Sequence, residues 1–251
     1  MATTTHPRIA IIGRGPGGLT LALTLHRRGV PFTVYERETS ADSRARLGGI
    51  LDLGYESGQR ALRENGLGDI FARNSRPEAD STRVYDSSAN LLFARDADPN
   101  QTPLDIRPEI DRSLLRKILL DAVPANTIKW GHELVSVRDL GDGERELKFT
   151  NGNTATVDIL VGADGAHSRW DGDGRMRTYI WFPGPADWSD PAEARKVHVS
   201  GVTILGDAAQ FMSPFGGAGD NLAMLDALEL GIVLTDALTD AINSRTSVKG
   251  R

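Results

Sequence analysis

Residues 8–25 of this 251-residue chain carry a pattern that few folds accommodate. The apolar run Ile9-Ala10-Ile11-Ile12 reads as a buried parallel strand. Gly13, Gly15 and Gly18 follow at GxGxxG spacing, with Pro16 and Gly17 inside the turn. Leu19, Leu21, Ala22, Leu23 and Leu25 then form the apolar face of a helix that Gly29 closes. Pro31 to Tyr35 reads as a second strand, ending in Glu36. Strand, glycine turn, helix, strand and acid make up the dinucleotide-binding unit. Gly13 permits the tight turn, Gly15 lets backbone approach a pyrophosphate, and Gly18 lets helix and strand pack closely. The helix start offers free N–H groups and a positive dipole end to phosphates. Glu36 can accept both hydroxyls of an adenosine ribose, and its charge repels a 2′-phosphate. The expected nucleotide is therefore FAD- or NAD-like rather than NADP-like. The competing reading is a tight turn in an α/β protein that binds nothing.

The length allows one large domain or two small ones. A net charge of −5 with no basic block speaks against a nucleic-acid partner. The absence of cysteine excludes disulfides, iron–sulfur clusters and thiolate zinc sites, and it fits a reducing, cytoplasmic setting. The five histidines have no ligand-like spacing, so no metal is expected. No apolar run approaches membrane-spanning length, and residues 1–7 have neither signal nor transit character.

Further along, Ile50–Leu53 is a short apolar segment and 57–66 reads as a helix ending at Gly66, with a further helical turn over 67–75. Residues 82–86 and 90–93 flank a Ser-Ser-Ala turn and suggest a hairpin. A helix over 113–122 carries Leu114, Leu115, Ile118 and Leu119 on one face. Strands are expected at 127–130, 133–137, 146–150 and 156–161, the middle two joined by a Gly-Asp-Gly turn. Residues 170–200 carry little periodic signal, with 177–182 as one candidate strand. A strand at 202–205 and a glycine-rich loop lead into a helix from Asp220 to about Ala241, and 243–251 reads as a frayed tail.

Three stretches together resemble the class A flavin-dependent monooxygenases, the para-hydroxybenzoate hydroxylase-like group. They are the opening glycine turn with Tyr35-Glu36-Arg37, the run Gly162-Ala163-Asp164-Gly165-Ala166-His167-Ser168-Arg169, and Gly206-Asp207-Ala208-Ala209 with the glycine-rich loop after it. They occur in family order. Within the group, Gly48 to Leu53, Ser57-Gly58-Gln59 and Pro108 to Arg112 are most similar to the tetracycline-degrading monooxygenases. The resemblance implies a Rossmann-like (GR2-type) α/β FAD-binding domain, with a parallel sheet and a small β-hairpin or meander. This domain would be discontinuous, built from 1–169 and 201–251, with 170–200 as the remnant of a reduced substrate domain. It implies FAD as cofactor, NAD(P)H as transient reductant, and hydroxylation of an aromatic or polyketide-like small molecule through a flavin C4a-hydroperoxide.

Carried over position by position, Glu36 would hold the adenosine ribose, Arg37 and Arg46 would lie near the adenine and the flavin-side loop, and Gly48 would be a further cofactor-binding residue. Arg112 would lie near the pyrophosphate or ribityl chain, since a planar, permanent cation suits phosphate. Asp164 would contact FAD, and Gly206 with Asp207 would meet the ribityl hydroxyls. Pro214, Gly217, Gly219 and Asn221 would bring the last helix to the flavin's pyrimidine edge. No catalytic side chain is implied. Taken singly, each arginine also reads as a solvated surface charge, and each aspartate as a turn or helix cap.

Two departures stand out. Asp220 places a carboxylate where a reduced flavin's negative charge would sit, harmful if aimed at the ring and tolerable if turned into its own helix. And only residues 170–200 separate the second and third motifs, where the family has a long substrate-binding sheet. Two other functions therefore compete with a monooxygenase: a non-catalytic or uncoupled FAD-binding remnant, and an NAD-linked dehydrogenase using the first motif alone.

Overall fold

The computed structural model describes residues 6–44, 48–77, 81–96, 100, 102–165, 201–209 and 217–249. The strand expected within 177–182 lies outside them. The elements in chain order are β1 (Ile9–Ile12), α1 (Pro16–Arg27), β2 (Thr33–Tyr35), β3 (Ile50–Asp52), α2 (Gly58–Glu64), α3 (Gly68–Asn74), β4 (Thr82–Tyr85) and β5 (Leu91–Arg95). They continue with β6 (Glu109–Asp111), α4 (Arg112–Ala122), β7 (Ile128–Lys129), β8 (Leu134–Gly141), β9 (Glu144–Phe149), β10 (Thr154–Val157), β11 (Ile159–Gly162), β12 (Val202–Ile204) and α5 (Gly219–Lys249).

A five-stranded sheet in the order β12-β11-β1-β2-β7 is parallel throughout. Strand β1 at its centre is buried on both faces, and its alternation divides the core in two. Ile9 and Ile11 point into a layer of helices with Leu19, Leu23, Leu115 and Met224. Ala10 and Ile12 point the other way, into a cluster with Leu147, Phe149, Val157 and Leu160. That second face is covered by the antiparallel meander β10-β9-β8. Two small antiparallel ribbons, β3-β6 and β4-β5, complete the sheets. The molecule is thus three layers, helices on parallel sheet on meander.

The segment 156–161 is not one strand, as its apolar run suggests. Asp158 breaks it, with β10 in the meander and β11 in the parallel sheet. The break is held by the chain's start: Arg8 donates its backbone N–H at 2.6 Å and its Nε at 3.0 Å to Asp158 Oδ2. The Arg8 side chain, hydrogen-bonded to this carboxylate, holds Asp158 below the usual carboxylate range. A group depressed on folding stabilises the fold above its unfolded pKa, and that contribution disappears as pH falls through the folded one. Asp158→Asn should therefore lower the melting temperature modestly at neutral pH, since both partners are partly solvated. The gap to wild type should close as pH falls below about 4; melts across that range check it.

The tail also differs from expectation. Helix α5 continues to Lys249 instead of fraying from Asn243. Residues 243–249 contain neither glycine nor proline, and the first breaker is Gly250. Among the described residues no helix is long and apolar enough to cross a membrane.

Candidate functional site: a cleft between two helix ends

The carboxyl ends of parallel strands β1, β2, β11 and β12 all open on one cleft of about 470 Å³. This is where open α/β sheets bind ligands, because helices that follow these strand ends point their N-termini there. Gly13 leaves β1 at φ +103°, and a Cβ on it would stand 2.4 Å from the Ala163 carbonyl oxygen. A Cβ on Gly18 would lie 2.2 Å from the Gly13 carbonyl oxygen. Both positions are glycine because backbone approaches backbone. Gly15 differs: a Cβ there would meet no protein atom within 4 Å. Its φ of −65° suits any residue, and it caps α1 with no side chain over the first-turn N–H groups. The space before Gly15 is therefore a cradle that the protein itself leaves clear, with Pro16 starting the helix beneath it.

Glu36 lines the cleft beside this turn and is 6% exposed. Its Oε2 accepts the Arg14 N–H at 2.9 Å and its Oε1 accepts the Glu38 N–H at 2.9 Å. Each oxygen keeps a further acceptor site for a ligand hydroxyl. Arg37 lines the cleft beside it, with its Nε 3.8 Å from Glu38 Oε1. Asp164, Gly206, Asp207 and Gly219 line the same cleft together with Gly17 and Ala223. Burial pushes the Asp207 carboxyl up, and the nearby Arg112 charge offsets this. Asp220 is raised likewise by burial, eased by Arg112 and raised further by Asp207. The Arg112 guanidinium donates to the Asp220 carboxylate. Asp220 is thus neither turned into its own helix nor left alone in the cleft. Its charge is met by an arginine from the start of α4.

Gly48 lines a neighbouring hollow of about 350 Å³ that shares Arg14, Gly15, Pro16, Glu36 and Arg112 with the cleft. Arg46 and Pro214 lie outside the described residues. Asn221 and Gly217 do not line the cleft. Asn221 is 4% exposed and fully engaged in holding α5 to the loop after β3. Its Oδ1 accepts the N–H of Gly54 at 2.8 Å and the Ser57 hydroxyl at 3.0 Å. Its Nδ2 donates to the carbonyls of Asp52 at 2.7 Å and Gly217 at 2.9 Å.

Two contributors were not singled out in the sequence. Arg14, 3% exposed, sits over the Trp130 ring at 4.6 Å from its centroid. It also donates to the carbonyls of Ser40 at 3.3 Å and Ala41 at 3.2 Å. A charged residue between the first two glycines of a buried turn was the available signal. Residues 132–137, at the start of β8, also line the cleft. Nothing local to that stretch marks it, since its place follows from how the meander packs.

The sequence matches the FAD binding domain family over residues 7–174 and 190–246. The chain belongs to this family. The open cradle at Gly15, the acid at Glu36 and the polar wall at Asp207 fit the diphosphate, ribose and polyol parts of FAD. This FAD binding domain is similar to monooxygenase asqM of Emericella nidulans, 34% identical over 177 residues, which cover 64% of the chain and 39% of the relative. It is also 34% identical over 171 residues to the 3-amino-4-hydroxybenzoate 2-monooxygenase of Streptomyces cremeus, covering 64% and 40%. The chain thus spans about two-fifths of the length of these curated relatives. Klebsiella pneumoniae HpxO, solved with FAD and uric acid, shares the fold at TM-score 0.68 and 18% identity, over 91% of this chain and 80% of that one. The tetracycline destructase Tet(51) does so at TM-score 0.65 and 18% identity, over 93% and 83%. The relatives are monooxygenases by name, as the three motifs imply, and a tetracycline destructase shares the fold.

Proposed function

We propose that this FAD binding domain holds FAD across the cleft and serves an NAD(P)H-dependent monooxygenase that hydroxylates an aromatic or polyketide-like small molecule with O₂. The observation that carries the reading is the convergence of Gly15, at the start of α1, and Gly219, at the start of α5, on one cleft, with Asp207 from the turn after β12 beside them. A nicotinamide-only enzyme needs the first helix end but has no use for the second. Bound FAD supplies the redox and oxygen chemistry. The protein's own part is binding and orientation. The first turn of α1 would take the diphosphate with backbone N–H groups, as helix N-termini do. Glu36 would accept ribose hydroxyls, Asp207 would accept from the polyol chain, and Arg112 would balance phosphate charge. The relatives' names carry the monooxygenase reading, and the aromatic class follows from the hydroxybenzoate enzyme among them.

Purified chain mixed with FAD should retain it at one equivalent through gel filtration, with a visible flavin band. A protein that stays colourless after this treatment would overturn the reading. With NADPH and candidate substrates, an oxygenated product supports the monooxygenase. NADPH loss that yields only H₂O₂ supports an uncoupled FAD-binding remnant instead.

A further inference from the structure

We propose that Asp220 sets how tightly the cleft holds an anionic dinucleotide, by occupying the guanidinium of Arg112. The inference rests on FAD binding in this cleft and goes beyond it. Arg112 stands directly after β6 and lines both the cleft and the neighbouring hollow, together with Gly15 and Pro16 of the α1 start. Its guanidinium is of the kind a diphosphate needs, a planar fork of fixed charge. In the structure that fork is engaged by a protein carboxylate, Asp220.

Asp220 also lies in the first turn of α5. The partial positive charge of that helix end is therefore already answered by an internal acid. Two features that would attract a bound anion, a guanidinium and a helix end, are both met by this one side chain. Asp207 adds a second carboxylate to the same wall. The exposures describe an exchangeable contact: the Asp220 side chain is 19% exposed and that of Arg112 is 43% exposed. The arginine can turn to a phosphate without leaving water, while the aspartate it leaves behind stays largely buried. Cofactor binding must therefore share Arg112 with Asp220 or take it over. Removing the Asp220 charge frees the arginine and removes a repulsion, and both effects favour the bound anion.

The test is FAD titration, followed by flavin fluorescence, of the purified full chain and its variants. Asp220→Asn should bind FAD about fivefold more tightly, the size expected of a partly solvated pair. Asp220→Glu, which restores the carboxylate, should stay within about twofold of wild type. In an Arg112→Gln background the gain from Asp220→Asn should shrink, because there is no arginine left to free and only the removed repulsion remains. Asp220→Ser, with a hydroxyl suited to a helix start, replaces the asparagine variant if that one does not fold. Equal or weaker binding by a folded Asp220→Asn protein overturns the inference, as does an undiminished gain without Arg112. FAD binding by none of the proteins overturns the proposed function, and this inference with it. Equal binding by all of them overturns this inference alone.

Discussion

Gly15→Ala should leave the empty protein folded and weaken FAD binding by about tenfold or more, whereas Gly18→Ala should damage the fold itself. The two glycines belong to one motif and serve different neighbours. A methyl group on Gly18 would be driven to 2.2 Å from the Gly13 carbonyl oxygen, and neither backbone can yield without separating α1 from β1. Overpacking of this kind costs about 1–3 kcal/mol, a large share of a domain's stability. A methyl group on Gly15 meets no protein atom within 4 Å, and φ −65° and ψ 175° at that residue suit alanine. What it meets is the ligand: it holds the diphosphate away from the first-turn N–H groups and lengthens hydrogen bonds to a charged acceptor, worth about 1.5–3 kcal/mol each. Thermal melts of the empty proteins read the first effect and FAD titration the second. If Gly15→Ala binds FAD as wild type does, the diphosphate does not lie on this turn.

That contrast marks what the sequence could and could not say. The first βαβ unit was legible because its constraints are local: apolar runs of the right period, glycines at fixed offsets, an acid at a strand end. The cleft's lining at Gly13, Gly15, Pro16, Gly17, Gly18, Glu36, Arg37, Arg112, Asp164, Gly206, Asp207 and Gly219 follows from those motifs and their resemblance to a known family. What failed to show was decided at long range. Asp158 divides an apolar run because Arg8, distant in sequence, bonds to it. Asn221 has the polarity of a ligand contact, yet it braces α5 against the loop after β3. For Asp220 the sequence offers its own helix and the flavin as neighbours, and its partner comes from α4. Periodicity reports which face of an element is buried, but not which other element lies against it.

Glu36 closes the first βαβ unit. Its carboxylate does two things at once, tying the turn after β1 to the end of β2 and presenting acceptors to the cleft. Both oxygens already receive backbone N–H groups, from Arg14 and from Glu38. Glu36→Ala strands both donors, at about 1–3 kcal/mol for each group left buried without a partner. It also takes away the carboxylate 3.9 Å from the Arg14 Nε, in a site where that guanidinium is buried. Glu36→Gln keeps the shape and can still accept one N–H, but it must turn its amide NH₂ toward the other donor. The expected order of melting temperatures is therefore wild type, then glutamine, then alanine. FAD affinity should fall by about tenfold in the alanine variant, since the ribose loses its charged acceptor. Stability and affinity separate the two roles. A folded Glu36→Ala protein with lowered stability and unchanged FAD affinity would keep Glu36 as a brace between β1 and β2 and remove it from the ligand site.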